Sequence, residues 1–183
     1  QNGGHRSVET RGASALTGGK MTGAGTTVLQ GATTVSGSGI GLDFGRVLRN
    51  EGDLTWTAGT IDLNQLSNNG GSGRIDNAAG GVFDAQGNNA ISATAFGDLN
   101  TLAGFSAFNN AGTFRKSVGT GTTTVGVAFN NTGTVEVQTG TLNLNAGGTS
   151  SGATASLRCG PELRWRSSCR SGLGPCFTSP RPR

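Results

Sequence analysis

The stretch FNNTGTVEVQTGTLNLN, residues 129–145, aligns without a gap to LRNEGDLTWTAGTIDLN, residues 48–64. Six positions are identical in the two stretches, and Leu54, Trp56 and Ile61 also align with the apolar residues Val135, Val137 and Leu142. A shorter phrase, Phe-Asn-Asn-x-Gly-Thr, begins at Phe108 and again 21 residues later at Phe129. The repeated residues are of types that build turns, strands and cores, so the repeat indicates a structural scaffold and not a catalytic site.

Within one copy the apolar residues recur at every second position. Val135 and Val137 alternate with polar neighbours, Thr139-Gly140 interrupts the pattern, and Leu142 and Leu144 alternate again. This periodicity is typical of two short, half-buried strands joined by a tight turn. Each copy is too small to bury its own apolar face, so the copies are expected to stack on one another as the coils of a β-solenoid.

Stacking predicts which residues form vertical rows. Equivalent residues on successive coils lie about 4.8 Å apart, the ordinary spacing of paired strands. Phe108 is expected to stack on Phe129 in the core, and Gly112 and Gly133 are expected to take the unusual dihedral angles of a turn. A ladder of side-chain amides is expected next to that turn, formed by Asn50, Asn77, Asn110 and Asn131.

The composition agrees with a chain of short strands. It contains 34 Gly, and only 33% of the residues are hydrophobic and 13% charged. Gly costs about 1 kcal/mol at each helix-interior position, whereas Gly and Asn suit turns and Thr and Val suit strands. Disorder is the competing interpretation of low hydrophobicity, but disordered chains are aperiodic and rich in charge.

The composition changes near Ser150. Residues 1–150 hold eight Lys or Arg and nine Asp or Glu, whereas residues 151–183 hold six Arg against Glu162 alone. All three Cys and all four Pro also follow Ser150. We therefore divide the chain into an irregular segment 1–15, a repeat domain 16–148 and a tail 149–183, which we expect to be irregular or disordered and dispensable for the fold. A shifted reading frame is one hypothesis for the origin of the tail. The rival to a dispensable tail is a tail that caps the last coil.

A resemblance rests on the repeat residues themselves. The segments MTGAGTTVL, LTWTAGTIDLN and VFDAQGNN, with residues 108–148, resemble the strand repeats of large bacterial surface proteins, such as autotransporter passengers and filamentous-haemagglutinin-like adhesins. The resemblance implies a right-handed parallel β-helix exposed outside the cell, acting in adhesion or as a spacer. The chain begins with Gln and carries no apolar run long enough to span a membrane, so we expect it to be part of a longer protein with other domains.

Candidate sites for chemistry are weak. SGIGLDFG, residues 38–45, resembles a calcium-binding glycine-aspartate repeat, but only one partial copy, with Asp43, is present. Thr-rich stretches such as 120–126 suit exposed strands as well as flat ice-binding arrays. In the tail, Arg164-Trp165-Arg166 does not suffice to predict a specific nucleic-acid partner, and the Cys spacing does not fit a zinc site.

The aspartates are scattered singly along the repeats, although stacking could bring distant ones together: Asp43, Asp53, Asp62, Asp76, Asp84 and Asp98. His5 is the only histidine. We therefore assign no catalytic residue, cofactor or metal ligand and expect a non-enzymatic structural or adhesive segment. Its partners would be cell-surface glycans or a host surface. A carbohydrate-active β-helix enzyme, a polysaccharide lyase or glycoside hydrolase, is the alternative.

Several placements follow from the alignment. Trp56 is expected in the core, and an insertion at residues 87–106 is expected to lie on the outside, where loops vary freely. Asp84, Arg115 and Glu136 are expected to form one outward row of alternating sign. Lys116 falls on an inward position, and we expect a local bulge to turn its ammonium group to solvent.

Overall fold

The computed structural model describes residues 7–63, 73–93 and 106–151, together with the backbone of two short strands at 156–159 and 166–167. The described residues form strands and turns and contain no helix, so none of them forms a membrane-spanning helix. The predicted insertion at 87–106 lies partly outside these residues, as does most of the tail.

The strands form three parallel sheets. The first sheet contains β1 (Val8–Thr10), β4 (Gly25–Leu29), β7 (Arg46–Asn50), β10 (Arg74–Asn77), β13 (Ala107–Asn110) and β16 (Ala128–Asn131). The second contains β2 (Ser14–Leu16), β5 (Thr33–Val35), β8 (Asp53–Trp56), β11 (Val82–Ala85), β14 (Thr113–Lys116), β17 (Thr134–Val137) and β19 (Ser156–Cys159). The third contains β3 (Lys20–Met21), β6 (Gly39–Leu42), β9 (Thr60–Asp62), β12 (Ala90–Ser92), β15 (Thr122–Val125), β18 (Thr141–Leu144) and β20 (Arg166–Ser167).

This order is that of a parallel β-helix. Each coil supplies one strand to each sheet, and every strand pairs with the equivalent strand of the next coil. The predicted fold class is therefore confirmed. The sequence pattern indicated two strands and a tight turn in each copy, with Phe108 and Phe129 in the core and the Asn row beside a turn. The structure adds one more strand per coil, because Phe-Asn-Asn itself lies in β13 or β16 of the first sheet.

Successive coils differ in length although they stack in register. The rows Asn50–Asn77–Asn110–Asn131 give separations of 27, 33 and 21 residues, whereas Ser14 and Thr33 on the first two coils are 19 apart. The two longest coils differ from the others mainly at the corner that leads from the third sheet to the first. There the described chain stops at Leu63 and at Ala93, and it resumes at Gly73 and at Ser106.

Aromatic residues fill the centre of the helix. Phe108 stacks on Phe129 with 5.3 Å between ring centroids, as the repeat predicts, and Phe83 stacks on Phe114 at 5.5 Å. Trp56 is fully buried as predicted, and its indole N–H donates to the carbonyl oxygen of Gly59 at 3.0 Å. Burying each such ring contributes about 1.5–3 kcal/mol to stability, so these stacks hold neighbouring coils together.

The glycines after the amide row are needed for space. Neither Gly112 nor Gly133 has a positive φ, so our prediction that they take unusual dihedral angles is wrong. A Cβ atom on Gly133 would instead overlap the carbonyl oxygen of Gly112 on the preceding coil, and one on Gly112 would overlap that of Gly81. The turn is tight because successive backbones are in contact there.

The register of the third sheet departs from the sequence alignment by two residues. The alignment placed Ile61 over Leu142, whereas the strand ladder runs from Ile61 through Ile91 and Val125 to Leu144. A shift of two keeps each side chain on the same face of the sheet, so the apolar pattern alone does not detect it.

The strand ladder continues past Gly148, where the sequence repeat was expected to end. Ser150 forms a bridge with Asn131, and Ser151 N donates to the carbonyl oxygen of Asn131 at 3.0 Å. The backbones of β19 and β20 then pair with β17 and β18. A seventh coil therefore begins in the tail.

Candidate functional site

The amide ladder lies at the end of the strands of the first sheet. Asn50 Nδ2 donates to Asn77 Oδ1 at 2.8 Å, Asn77 Nδ2 to Asn110 Oδ1 at 2.8 Å, and Asn110 Nδ2 to Asn131 Oδ1 at 2.7 Å. All four side chains are buried. The residues placed in one row by sequence reasoning therefore form a continuous chain of hydrogen bonds through four coils.

Each amide of the ladder also fixes the turn that follows it. Asn110 Nδ2 donates to the carbonyl oxygens of Gly112 and Thr134, and Asn77 Nδ2 donates to those of Gly81 and Thr113. One side chain thus satisfies backbone oxygens on its own coil and on the next. The ladder ends at Asn50, because the preceding coil has Leu29 at this position.

A second amide row lies on the outer surface, one residue before the buried one. Asn109 Nδ2 donates to Asp76 Oδ1 at 2.8 Å, and Asn130 Nδ2 donates to Asn109 Oδ1 at 2.9 Å. Thr149 continues the row through contacts with Asn130 Oδ1. Sequence reasoning missed this row, although the doubled Asn of the phrase Phe-Asn-Asn contained the signal for it.

The outer row of the second sheet carries the charges that the alignment placed there. Asp84 pairs in register with Arg115, and Arg115 pairs with Glu136. Arg115 Nη2 lies 3.4 Å from Asp84 Oδ2, and Gln86 Nε2 also donates to that oxygen. Asp84 is almost buried and Arg115 is half-buried, so this ion pair is only partly open to water, unlike the exposed row that the alignment predicted.

Lys116 contradicts its prediction. No bulge turns it outward; it is fully buried, in the inward row between Ala85 and Val137. Its Nζ donates to the carbonyl oxygens of Gly87 and Val118, each at 3.0 Å, and to Asn88 Oδ1 at 3.4 Å. The small side chain of Ala85 leaves the space that the lysine fills, and burial lowers the pKa of its ammonium group.

The carboxylates of the described strands do not meet one another across the ladder. Asp62 lies between Gly41 and Ser92, Asp76 between Arg49 and Asn109, and Asp84 between Thr55 and Arg115. Paired carboxylates at short separation are what glycoside hydrolysis needs. Asp98 and His5 lie outside the described residues.

Asp43 of the calcium-like motif serves a turn. It is almost fully buried, and its Oδ1 accepts the backbone N–H of Phe44 at 2.8 Å. Phe44 has a φ of 54°, a left-handed conformation that this hydrogen bond supports. Across residues 7–63, 73–93 and 106–151, no three potential metal-binding side chains come together.

Two further sequence candidates can be placed. The Thr rows of the third sheet are short: Thr122 lies beside Thr141, but Thr124 lies between Ala90 and Asn143. Of the expected insertion 87–106, residues Ala90–Ser92 form strand β12, and 94–105 lie outside the described residues.

Comparison with known proteins returned no significant similarity to a protein family, a curated protein or a solved structure.

Proposed function

We propose that this chain is a non-enzymatic structural or adhesive segment of a larger bacterial surface or secreted protein. The observation that carries the proposal is the continuous amide ladder, which runs through four coils alongside the stacked phenylalanines. Such ladders hold repeats in register, and each repeat is stabilised by its contacts with neighbouring repeats.

The outer faces support the adhesive half of the proposal. The amide row of Asp76, Asn109 and Asn130 follows the axis of the helix and offers donors and acceptors to a ligand that follows the same direction. The hydroxyl groups of linear glycans can act both as hydrogen-bond donors and as acceptors. The proposed partners are therefore glycans of a cell surface, with the location outside the cell.

The experiment is an assay for turnover and retention on the same polysaccharides. The purified chain is incubated with acidic and neutral polysaccharides, and we expect no release of reducing sugars or unsaturated products. The same polysaccharides, immobilised, are expected to retain the chain, whereas a globular protein of equal size and charge is not retained.

Turnover that a single Asp substitution abolishes would overturn the proposal in favour of the carbohydrate-active enzyme. Absence of retention on every polysaccharide and on bacterial and host cell surfaces would remove the adhesive role and leave only the structural one.

A further inference from the structure

The outer face of the third sheet lacks side chains on its second coil. Strand β6 reads Gly39-Ile40-Gly41-Leu42, and the side chains of Ile40 and Leu42 belong to the core. Because side chains alternate between the two faces of a strand, both outward positions of β6 are glycines. The segment singled out above for its likeness to a calcium repeat therefore adds no side chain to the outer row, and both glycines are themselves buried.

Side chains of the two neighbouring coils flank strand β6 on the outer face. Lys20 lies in register on one side of Gly41 and Asp62 on the other, while Thr60 lies beside Gly39. Two strand spacings separate Lys20 from Asp62, about 10 Å between their Cα atoms. Gly39, Ser38 and these side chains line a cleft of about 220 Å³, which we call the glycine cleft.

The volume limits the ligand. Sites for drug-sized molecules span about 300–1,000 Å³, so a cleft of this size suits a single ring rather than an extended oligomer. Its lining is mainly polar, with the hydroxyl groups of Ser38 and Thr60 and the backbone of Gly39. A sugar ring carries polar groups at several points and an apolar ligand does not, so this lining favours a sugar.

The two charges fix how the ring would lie. Lys20 is exposed and presents an ammonium group that binds an anionic oxygen, whereas Asp62 is almost buried and presents a carboxylate that accepts hydrogen bonds. A hexuronate carries its carboxylate and its vicinal hydroxyl groups on opposite sides of the ring. We propose that the glycine cleft binds one uronic acid residue of an acidic glycan, with the carboxylate at Lys20 and the hydroxyl groups at Asp62. The assignment names the ligand class for the adhesive role and thus rests on the proposed function.

The two glycines differ in what they tolerate. Gly39 has a φ of 88°, and a Cβ atom there would overlap the backbone of Thr60, so this position does not accept a side chain. Gly41 has no positive φ. Gly41 lies in register between Lys20 and Asp62, so Gly41→Val adds a side chain to the row that carries these two lining residues, with a residue that strands favour.

The test uses the whole chain and two monosaccharides that differ in one group. Methyl β-glucuronide and methyl β-glucoside are titrated into the labelled protein, and amide chemical shifts are followed. We expect the glucuronide to shift the amides of Gly39, Ile40 and Thr60, with a Kd on the order of 1 mM, since few contacts are formed. The glucoside is expected to bind at least about tenfold more weakly, because it lacks the group that contacts Lys20.

Variants identify the residues. Lys20→Gln and Gly41→Val are each expected to weaken glucuronide binding about tenfold or more, because one removes the cation and the other adds a side chain to the row of lining residues. Arg49→Gln removes a cation from the outer face of the first sheet and is the matched control, expected to change the affinity less than about twofold. Thermal melts check that each variant is folded, and Asp62→Asn is used only if its melt matches the parent.

Each outcome decides between the proposals. Equal binding of the two sugars, unchanged affinity in folded Lys20→Gln and Gly41→Val, or no binding at about 10 mM glucuronide overturns the uronate assignment. Retention on polysaccharides that persists in these variants leaves the adhesive role intact on other faces. If the unmodified chain is retained on none of the polysaccharides, the adhesive role is contradicted.

Discussion

At the scale of single residues, Asn110 links two coils at once. Its side chain accepts from Asn77 and donates to Asn131, Gly112 and Thr134, and it is almost inaccessible to water. Asn109, next to it in sequence, makes the corresponding contacts on the surface, where water can replace a lost partner. Because Asn109 and Asn110 are the same residue type, substituting each in turn isolates the effect of burial.

Asn110→Ala is expected to lower the free energy of unfolding by about 2–4 kcal/mol, because buried groups on both neighbouring coils lose their partner. Asn109→Ala, the control, is expected to cost under about 1 kcal/mol because water substitutes for the amide. Chemical denaturation of both variants measures the difference. Similar losses at the two positions would mean that the buried ladder adds nothing beyond an exposed one.

Lys116 makes stability depend on pH. Burial lowers the pKa of Lys116 below its usual 10.5, so between the lowered value and 10.5 the unfolded chain binds more protons than the folded chain. The free energy of unfolding should therefore rise with pH in that window, relative to Lys116→Met, which has no proton to lose. Denaturation of both proteins from pH 7 to 10 checks the sign; a difference that stays constant or reverses would contradict it.

At the scale of elements, β17 shows how alternation separates two faces. Val135 and Val137 are buried and Thr134 and Glu136 are half-buried on the outer side, as the period of two predicts. Val135 lies in register with Phe114, so its side chain belongs to the apolar row of the second sheet.

Val135→Asp places an unpaired charge in this row and is expected to destabilise the fold by more than about 3 kcal/mol. Glu136→Ala, on the opposite face, should change the free energy of unfolding by less than about 0.5 kcal/mol. Thermal melts compare them. Equal losses would show that the two faces of β17 do not differ in burial.

Much of this element structure can be predicted from sequence, because each coil repeats the same inward residues. The Asn110–Asn131 step of the amide ladder and the stacking of Phe108 on Phe129 follow from the repeated phrase alone. The burial of Lys116 cannot be predicted in this way, because its space depends on Ala85 and its hydrogen-bond partners lie on turns near Gly87 and Val118. The glycine cleft likewise joins Lys20 and Asp62, 42 residues apart, which only the register brings to one face.

At the scale of the whole molecule, the seventh coil matters most. Residues 149–151 bond to β16, and β19 pairs with β17, so the tail covers edges that would otherwise present unpaired backbone groups. Open solenoid ends of this kind associate with one another. The structure thus favours the cap over a dispensable tail.

Truncation after Gly148 is therefore expected to lower the melting temperature and to produce association on a sizing column. Truncation after Ser168 keeps every described strand and is the control, expected to remain monomeric with an unchanged melt. A monomeric 1–148 chain with the parent melting temperature would restore the original expectation that the tail is dispensable.

The unequal coil lengths also have a mechanical consequence. In the described part of the chain each strand pairs with strands of the adjacent coils, so a force that pulls the two ends apart should open the helix one coil at a time. A coil of 21 residues would lengthen the chain by about 70–75 Å and one of 33 residues by about 110–120 Å, at roughly 3.5 Å per residue. Single-molecule stretching should record steps of these different sizes, so the size of each step would identify the coil that opened. One large step would instead mean that the coils yield to force together.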